Sequence, residues 1–245
     1  MRNLKMAIDF DGTRYKGWQK QKEGISTVQE KIENVLSKMT GEEIQVIGCG
    51  RTDSGVHAEN YIANFHTESN LTTDAMLEYL YEYLPEDIVV KSMKDTGERF
   101  HARYKAKSKT YVYKINNTRF RNVFNRKYVY HSDVKLDIEK MKKAAEKLIG
   151  THDFQSFTSL KTNTKSTDRT INYINIIENE GLIEIEVNGN SFMLNMVRII
   201  AGTLMEAGKG ELTPKDVEKI LNEKKRSEAG PIAQAKGLCL KYIEY

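Results

Sequence analysis

One order of strands and helices, read off the hydrophobic pattern and run through twice, constrains the fold of this chain more than any other feature. Residues 4–10 read as a strand. Thr27 and Glu30 have the Thr-x-x-Glu spacing of a capping box, Val28, Ile32, Val35, Leu36 and Met39 fall on one helical face, and Gly41 ends the run. Residues 44–49 and 61–67 read as strands, 74–84 as a helix stopped before Pro85, and 88–94 as a strand, so the order is β-α-β-β-α-β. From Ser108 it recurs: strand 109–116, helix 138–148 capped by Asp137 and closed by Gly150, strands 170–177 and 182–188, helices 192–207 and 214–222, and a last strand 238–243. The second half repeats the first with one extra helix.

Such a repeat predicts an α+β fold of two ferredoxin-like (RRM-like) halves, each an antiparallel sheet with helices on one face, packed together around a central cleft. The expected division is 1–104 and 105–245. No Pro/Gly/Ser linker appears near Tyr104, which predicts packed rather than tethered halves. The 245 residues suffice for this. No run approaches the roughly 18 apolar residues of a membrane helix, and the opening Met-Arg-Asn-Leu-Lys-Met lacks the apolar length of a signal peptide, so a soluble cytoplasmic protein is expected. Cys49 and Cys239 sit in apolar strand-like runs and read as reduced core residues. His57, His66, His101, His131 and His152 show no metal-ligand spacing, so solvated or locally hydrogen-bonded histidines are expected in place of a metal site. The net charge of +4 permits a polyanionic partner without requiring one.

The densest chemical signal is Gly48-Cys49-Gly50-Arg51-Thr52-Asp53-Ser54-Gly55-Val56-His57-Ala58, between two strand signals. Its glycines allow tight backbone geometry that presents an Arg, an Asp and a His from one short loop. An isolated Asp-Ser-Gly is ordinarily a turn in which the Asp bonds its own backbone. The whole run resembles the catalytic motif of the tRNA pseudouridine synthase A family across Gly50 to Ala58. Asp11-Gly12-Thr13-Arg14-Tyr15-Lys16-Gly17-Trp18-Gln19 is similar to that family's first-strand signature. Phe100-His101-Ala102-Arg103 and Lys109-Thr110-Tyr111-Val112-Tyr113 look like the segment carrying its active-site tyrosine. Gly150-Thr151-His152-Asp153-Phe154 and Asn190-Ser191-Phe192-Met193, leading into Met196-Val197-Arg198, are similar to its second-half blocks.

The resemblance implies an isomerase converting uridine to pseudouridine at tRNA positions 38, 39 and 40, on the 3′ side of the anticodon arm, acting as a homodimer without metal or cofactor. It implies that Asp53 is the nucleophile, that Tyr111 packs on the target base, that Arg198 pairs with Asp53, and that Arg51 helps to hold the base or a flanking phosphate. Leu238, Lys105, Lys107 and Arg169 join the substrate-binding set, with Lys109, Lys161, Lys165 and the Lys224-Lys225-Arg226 cluster as further phosphate contacts. The chemistry fits the residue types. A guanidinium favours the ionised carboxylate a nucleophile requires, and an aromatic face suits a base drawn out of its stack. Taken singly, Tyr111 shares a strand face with Tyr113 and Ile115 and reads as a core aromatic, and each basic cluster reads as a solvated face. Arg198, among Met193, Met196, Val197 and Ile200, needs a polar partner of some kind.

Three positions depart from the family pattern: Tyr61 stands where Gln is usual, Ile232 for Thr and Gln234 for Pro. They point to a divergent paralogue with a shifted RNA site as the alternative. Asp9-Phe10-Asp11-Gly12-Thr13 also resembles the first motif of haloacid dehalogenase-type phosphatases, with Asp9 and Asp11 as the acids. That reading lacks the Gly-Asp and Asp-Asp pairs and the parallel β-α units it requires. A non-catalytic RNA-binding protein on the same double platform is a further alternative. A Ser54/His57 hydrolase lacks the Gly-x-Ser-x-Gly elbow.

Overall fold

Alternation with period two makes the first strand a core strand. In the computed structural model, which describes residues 1–160 and 166–245, β1 (Arg2–Phe10) buries Leu4, Met6, Ile8 and Phe10 on one face. It is followed by α1 (Val28–Thr40), β2 (Ile47–Gly48), β3 (His57–Thr67), α2 (Thr73–Tyr83) and β4 (Ile88–Thr96). β1 pairs antiparallel with both β3 and β4, and β2 pairs antiparallel with β3. These elements belong to one unit, Met1–Lys107 together with Leu240–Tyr245. The last strand, β10 (Leu238–Glu244), lies beside β3.

The helices form where their caps and faces agree. Thr27 Oγ1 accepts the Glu30 amide at 3.4 Å, and Gly41, at φ +74°, closes α1 through its amide to the Ser37 carbonyl at 2.9 Å. Val28, Ile32 and Leu36 are fully buried, each contributing about 1.5–3 kcal/mol relative to exposure. The expected strand 44–49 shrinks to Ile47–Gly48. Ile44 and Val46 are buried in alternation, but their amides bond to α1 side chains: Ile44 N–H to Ser37 Oγ at 3.0 Å and Val46 N–H to Glu33 Oε1 at 2.9 Å. Those donors are spent before a ladder can form.

The second unit, Ser108–Cys239, has an antiparallel sheet in the order β5 (Ser108–Asn116), β9 (Leu182–Gly189), β8 (Asp168–Asn179), β7 (Gly150–Asp153), with the short β6 (Tyr130–His131) parallel to the end of β5. Its helices are α3 (Ile138–Ala145), α4 (Met196–Lys209) and α5 (Pro214–Glu223). The helix expected over 138–148 turns into a 3-10 segment at Glu146–Leu148, and Gly150, at φ +107°, opens β7 instead of closing the helix. α4 starts at Met196 rather than Phe192 because Asn195 takes φ +60°, which no helix interior accommodates. α3 packs on α4 where Gly208 leaves room: a Cβ there would lie 2.9 Å from Met141 Cγ. Both halves of the repeat are thus α+β, and their main strands pair antiparallel. Cys49 is buried, Cys239 half-buried, and neither is in a disulfide. Among the described residues, no helix is long and apolar enough to cross a membrane.

Candidate active site

Asp53 lies in the turn between β2 and β3, and the segment after β1 braces that turn. Gly48 admits no side chain, since a Cβ would sit 2.2 Å from Tyr61 Oη and 2.6 Å from Trp18 Nε1. Tyr61 stacks on Trp18 with centroids 4.0 Å apart and donates its hydroxyl to the Gly50 carbonyl. The Tyr15 carbonyl accepts the Gly55 amide at 3.2 Å and Ser54 Oγ at 3.3 Å, and the Trp18 amide donates to the Thr52 carbonyl at 3.4 Å. The Val56 amide closes the turn onto the Asp53 carbonyl at 3.1 Å. Gly17, at φ +89°, permits another close approach: a Cβ there would lie 2.4 Å from the Thr52 carbonyl oxygen.

His57 fixes the far end of the turn. Its Nδ1 accepts the Gly12 amide at 3.1 Å and lies 3.1 Å from Asp11 Oδ1. The bond from the Gly12 amide uses Nδ1 as an acceptor. Gly12 is pressed against Val56, whose carbonyl oxygen lies 2.0 Å from a Gly12 Cβ position. The motif at 48–58 and the signature at 11–19, separate in sequence, are therefore one structural piece, with Asp53 half-buried and Arg51 exposed, its Nε 3.3 Å from Gln19 Oε1. The brace formed by Tyr15, Gly17 and Trp18 is not visible in the sequence pattern, although positive-φ glycine positions are a usable signal for such close approaches.

The acids of the phosphatase-like motif are otherwise engaged. Asp9 Oδ1 accepts the Asn60 amide at 2.7 Å and pairs with Lys91 at 2.9 Å, while Asp11 caps the 3-10 turn Gly12–Arg14 through the Thr13 amide at 2.9 Å. The antiparallel pairing of β1 removes the parallel frame that motif needs.

In the second unit, Tyr111 is buried on β5, with its ring edge-on to Phe192 at 5.3 Å and 84°. Arg198, in the first turn of α4, donates from Nε to the Ala233 carbonyl at 2.7 Å and from Nη1 to Asn195 Oδ1 at 2.8 Å. The Ala233 amide returns to the Arg198 carbonyl at 3.1 Å. Residues 230–233 press on α4 because Gly202 has no side chain; its Cβ would lie 1.8 Å from the Pro231 carbonyl oxygen. Tyr113 donates to the Gln234 carbonyl at 3.0 Å, and burial raises its phenol pKa. Because the accepting group is backbone, Gln234 serves in place of the usual Pro. Ile232 is partly exposed, and Leu238 is buried at the start of β10.

Lys105 and Lys107 are exposed, and Lys109 is half-buried. Arg169 is half-buried; it donates from Nη1 to the Ser166 and Asp168 carbonyls at 3.0 and 2.6 Å, its Nε is buried without a hydrogen-bond partner among the described residues, and desolvation lowers its pKa. Lys224 is held by Asp153 at 2.8 Å, Lys225 is exposed, and Arg226 donates to the Ala229 carbonyl at 3.2 Å. Lys161 and Lys165 lie outside the described residues. Among the described residues no group of three or more His, Cys, Asp or Glu is arranged to hold a metal ion.

A family model described as tRNA pseudouridine synthase matches residues 6–105 and 144–245. The chain is similar to tRNA pseudouridine synthase A 1 of Clostridium tetani, with 71% identity over 245 residues and all of both chains covered. It is also similar over all of both chains to tRNA pseudouridine synthase A of a Bacillus species at 48% identity and to tRNA pseudouridine synthase A 2 of Bacillus cereus at 44%.

Proposed function

We propose that this chain, which belongs to the tRNA pseudouridine synthase family, acts on uridines on the 3′ side of the tRNA anticodon arm, with Asp53 as the nucleophile. It is an isomerase acting on tRNA. Uridine and pseudouridine contain the same atoms: the N1–C1′ bond breaks, the uracil turns, C5 bonds to C1′, and the C5 proton leaves while N1 gains one. The balance closes without a co-reactant. A carboxylate serves as nucleophile by adding covalently and leaving again, which splits one difficult step into two.

The observation that carries the assignment is the double bracing of the Asp53 turn, by Gly50 through Tyr61 and by Thr52, Ser54 and Gly55 through Trp18 and Tyr15. Reactive groups need such support, since small misplacements are costly in rate. Tyr111 is assigned to the face of the displaced base and Arg198 to the Asp53 carboxylate. Arg198 suits that role because bonds to Ala233 and Asn195 orient its planar fork. Arg51 and Leu238 are assigned to the target nucleotide, and Lys105, Lys107 and Arg169 to phosphates. We assign the active form to a homodimer in the cytoplasm, and sedimentation of the purified protein tests the dimer.

The test is to incubate the protein with unmodified tRNA and map pseudouridine by a chemical stop assay. Signal at positions 38 to 40 supports the assignment. Signal confined to other uridines replaces it with a retargeted paralogue, and no product on any tRNA overturns it.

A further inference from the structure

Residues 117–131 fall between the two stretches that match the family model. They read Asn-Thr-Arg-Phe-Arg-Asn-Val-Phe-Asn-Arg-Lys-Tyr-Val-Tyr-His, with the four cations Arg119, Arg121, Arg126 and Lys127 and no carboxylate. Two rings that a folded chain ordinarily hides are in solvent: Phe120 is 73% exposed and Phe124 is 92% exposed.

The loop is nonetheless built. Asn122 Oδ1 accepts the amides of Phe124 and Asn125 at 3.0 and 3.2 Å, and Arg126 Nη1 donates to the Val123 carbonyl at 2.9 Å. Thr118 Oγ1 and Asn116 Nδ2 donate to the Phe120 carbonyl at 2.7 and 3.3 Å. Polar bonds thus shape the backbone while the rings face outward, the reverse of a loop held by its own hydrophobic side chains. The loop also walls an open cavity of about 520 Å³, lined among others by Arg121, Arg126, His131 and Lys236.

Cations without carboxylates suit phosphates, and an exposed ring suits the face of an unstacked base; single-stranded RNA offers both together. Asn116, where the loop begins, is five residues beyond Tyr111 on β5, or about 17 Å at roughly 3.3 Å per residue. A nucleotide at the loop is therefore not the one assigned to Tyr111.

We infer that the 117–131 loop is a second tRNA contact, with Arg121, Arg126 and Lys236 around backbone phosphate and Phe124 beneath an unpaired base. It sets affinity and leaves the chemical step alone. The inference rests on the chain acting on tRNA.

The test compares wild type with Arg121→Ala, Arg121→Lys and Phe124→Ala, all at exposed positions, for tRNA affinity across a salt series and for kcat at saturating tRNA. Arg121→Ala is expected to weaken binding and to reduce the slope of log affinity against log salt by about one, Arg121→Lys to restore most of that slope, and Phe124→Ala to weaken binding about fivefold or more. Saturating kcat stays at the wild-type value. Unchanged affinity and slope in both alanine variants overturn the inference, as does a fall in kcat with affinity intact. A shift of sedimenting mass without a change in tRNA affinity assigns the loop to self-association and also overturns it. If wild type binds tRNA but forms no pseudouridine, the proposed function fails while the binding arm still decides the loop.

Discussion

Replacing Gly17 by Ala places a methyl group 2.4 Å from the Thr52 carbonyl oxygen, where ordinary contact begins at 3.4 Å, so backbone must move by about 1 Å. Two costs combine. Gly17 has φ +89°, a left-handed conformation that costs an alanine about 1–2 kcal/mol, and overpacking against rigid backbone adds about 1–3 kcal/mol. The sum, about 2–5 kcal/mol, corresponds to a fall in Tm of roughly 5–20 °C for a chain of this size. The movement falls on the residue before Asp53, where a displacement of about 1 Å lowers kcat/KM roughly 100-fold. Gly24 is the control: its φ of +85° carries the same conformational strain, but nothing lies within 4 Å of its Cβ position. Gly24→Ala should lose only about 1–2 kcal/mol and keep its rate of pseudouridine formation. Calorimetry and initial rates on tRNA at a temperature where both variants are folded make the comparison. Equal kcat/KM in the two variants would refute the claim that residues 11–19 brace the Asp53 turn.

Three further outcomes follow from the same contacts. Tyr61→Phe keeps the stack on Trp18 but removes the donor to the Gly50 carbonyl, costing about 1–3 kcal/mol, readable by denaturant titration. Arg198→Lys keeps a charge but loses the fork that bonds Ala233 and Asn195 together; saturating kcat should fall at least about tenfold with tRNA affinity little changed. Burial first, and then the bond to Asp87, push the Tyr15 phenol up to about 12 from an ordinary 10.0. Because the folded value is the higher, its contribution to stability is whole below pH 10 and is lost as pH rises toward 12. Tyr15→Phe should therefore flatten the decline of stability over that interval, and an unchanged decline would remove Tyr15 as its source.

Local signals carried far in this chain. Thr27 and Gly41 bound α1 as their residue types require, and Thr213 with Asp216 forms a reciprocal capping box that starts α5. Signals failed where a side chain elsewhere intervened. The alternation of residues 44–49 is real in burial, but Ser37 and Glu33 take two of its amides, a competition that periodicity cannot register. Gly150 has the positive φ expected of a helix-closing glycine, yet it lies at the start of β7. The return of Leu240–Tyr245 to the first unit is a choice of strand partner, which no local pattern encodes. At the candidate site, glycine spacing marked the Asp53 loop, and family resemblance supplied the roles proposed for Tyr111 and Arg198. The brace from Tyr15 and Trp18 joins residues dozens of positions apart and became visible only in three dimensions.

The most direct measurement is the conversion of uridine in unmodified tRNA by Asp53→Asn beside wild type, with tRNA affinity measured for both. The account predicts that Asp53→Asn binds tRNA within a few-fold of wild type and forms no detectable pseudouridine, because the isosteric amide preserves the turn and removes the nucleophile. Pseudouridine formation by Asp53→Asn at a rate comparable to wild type would contradict it.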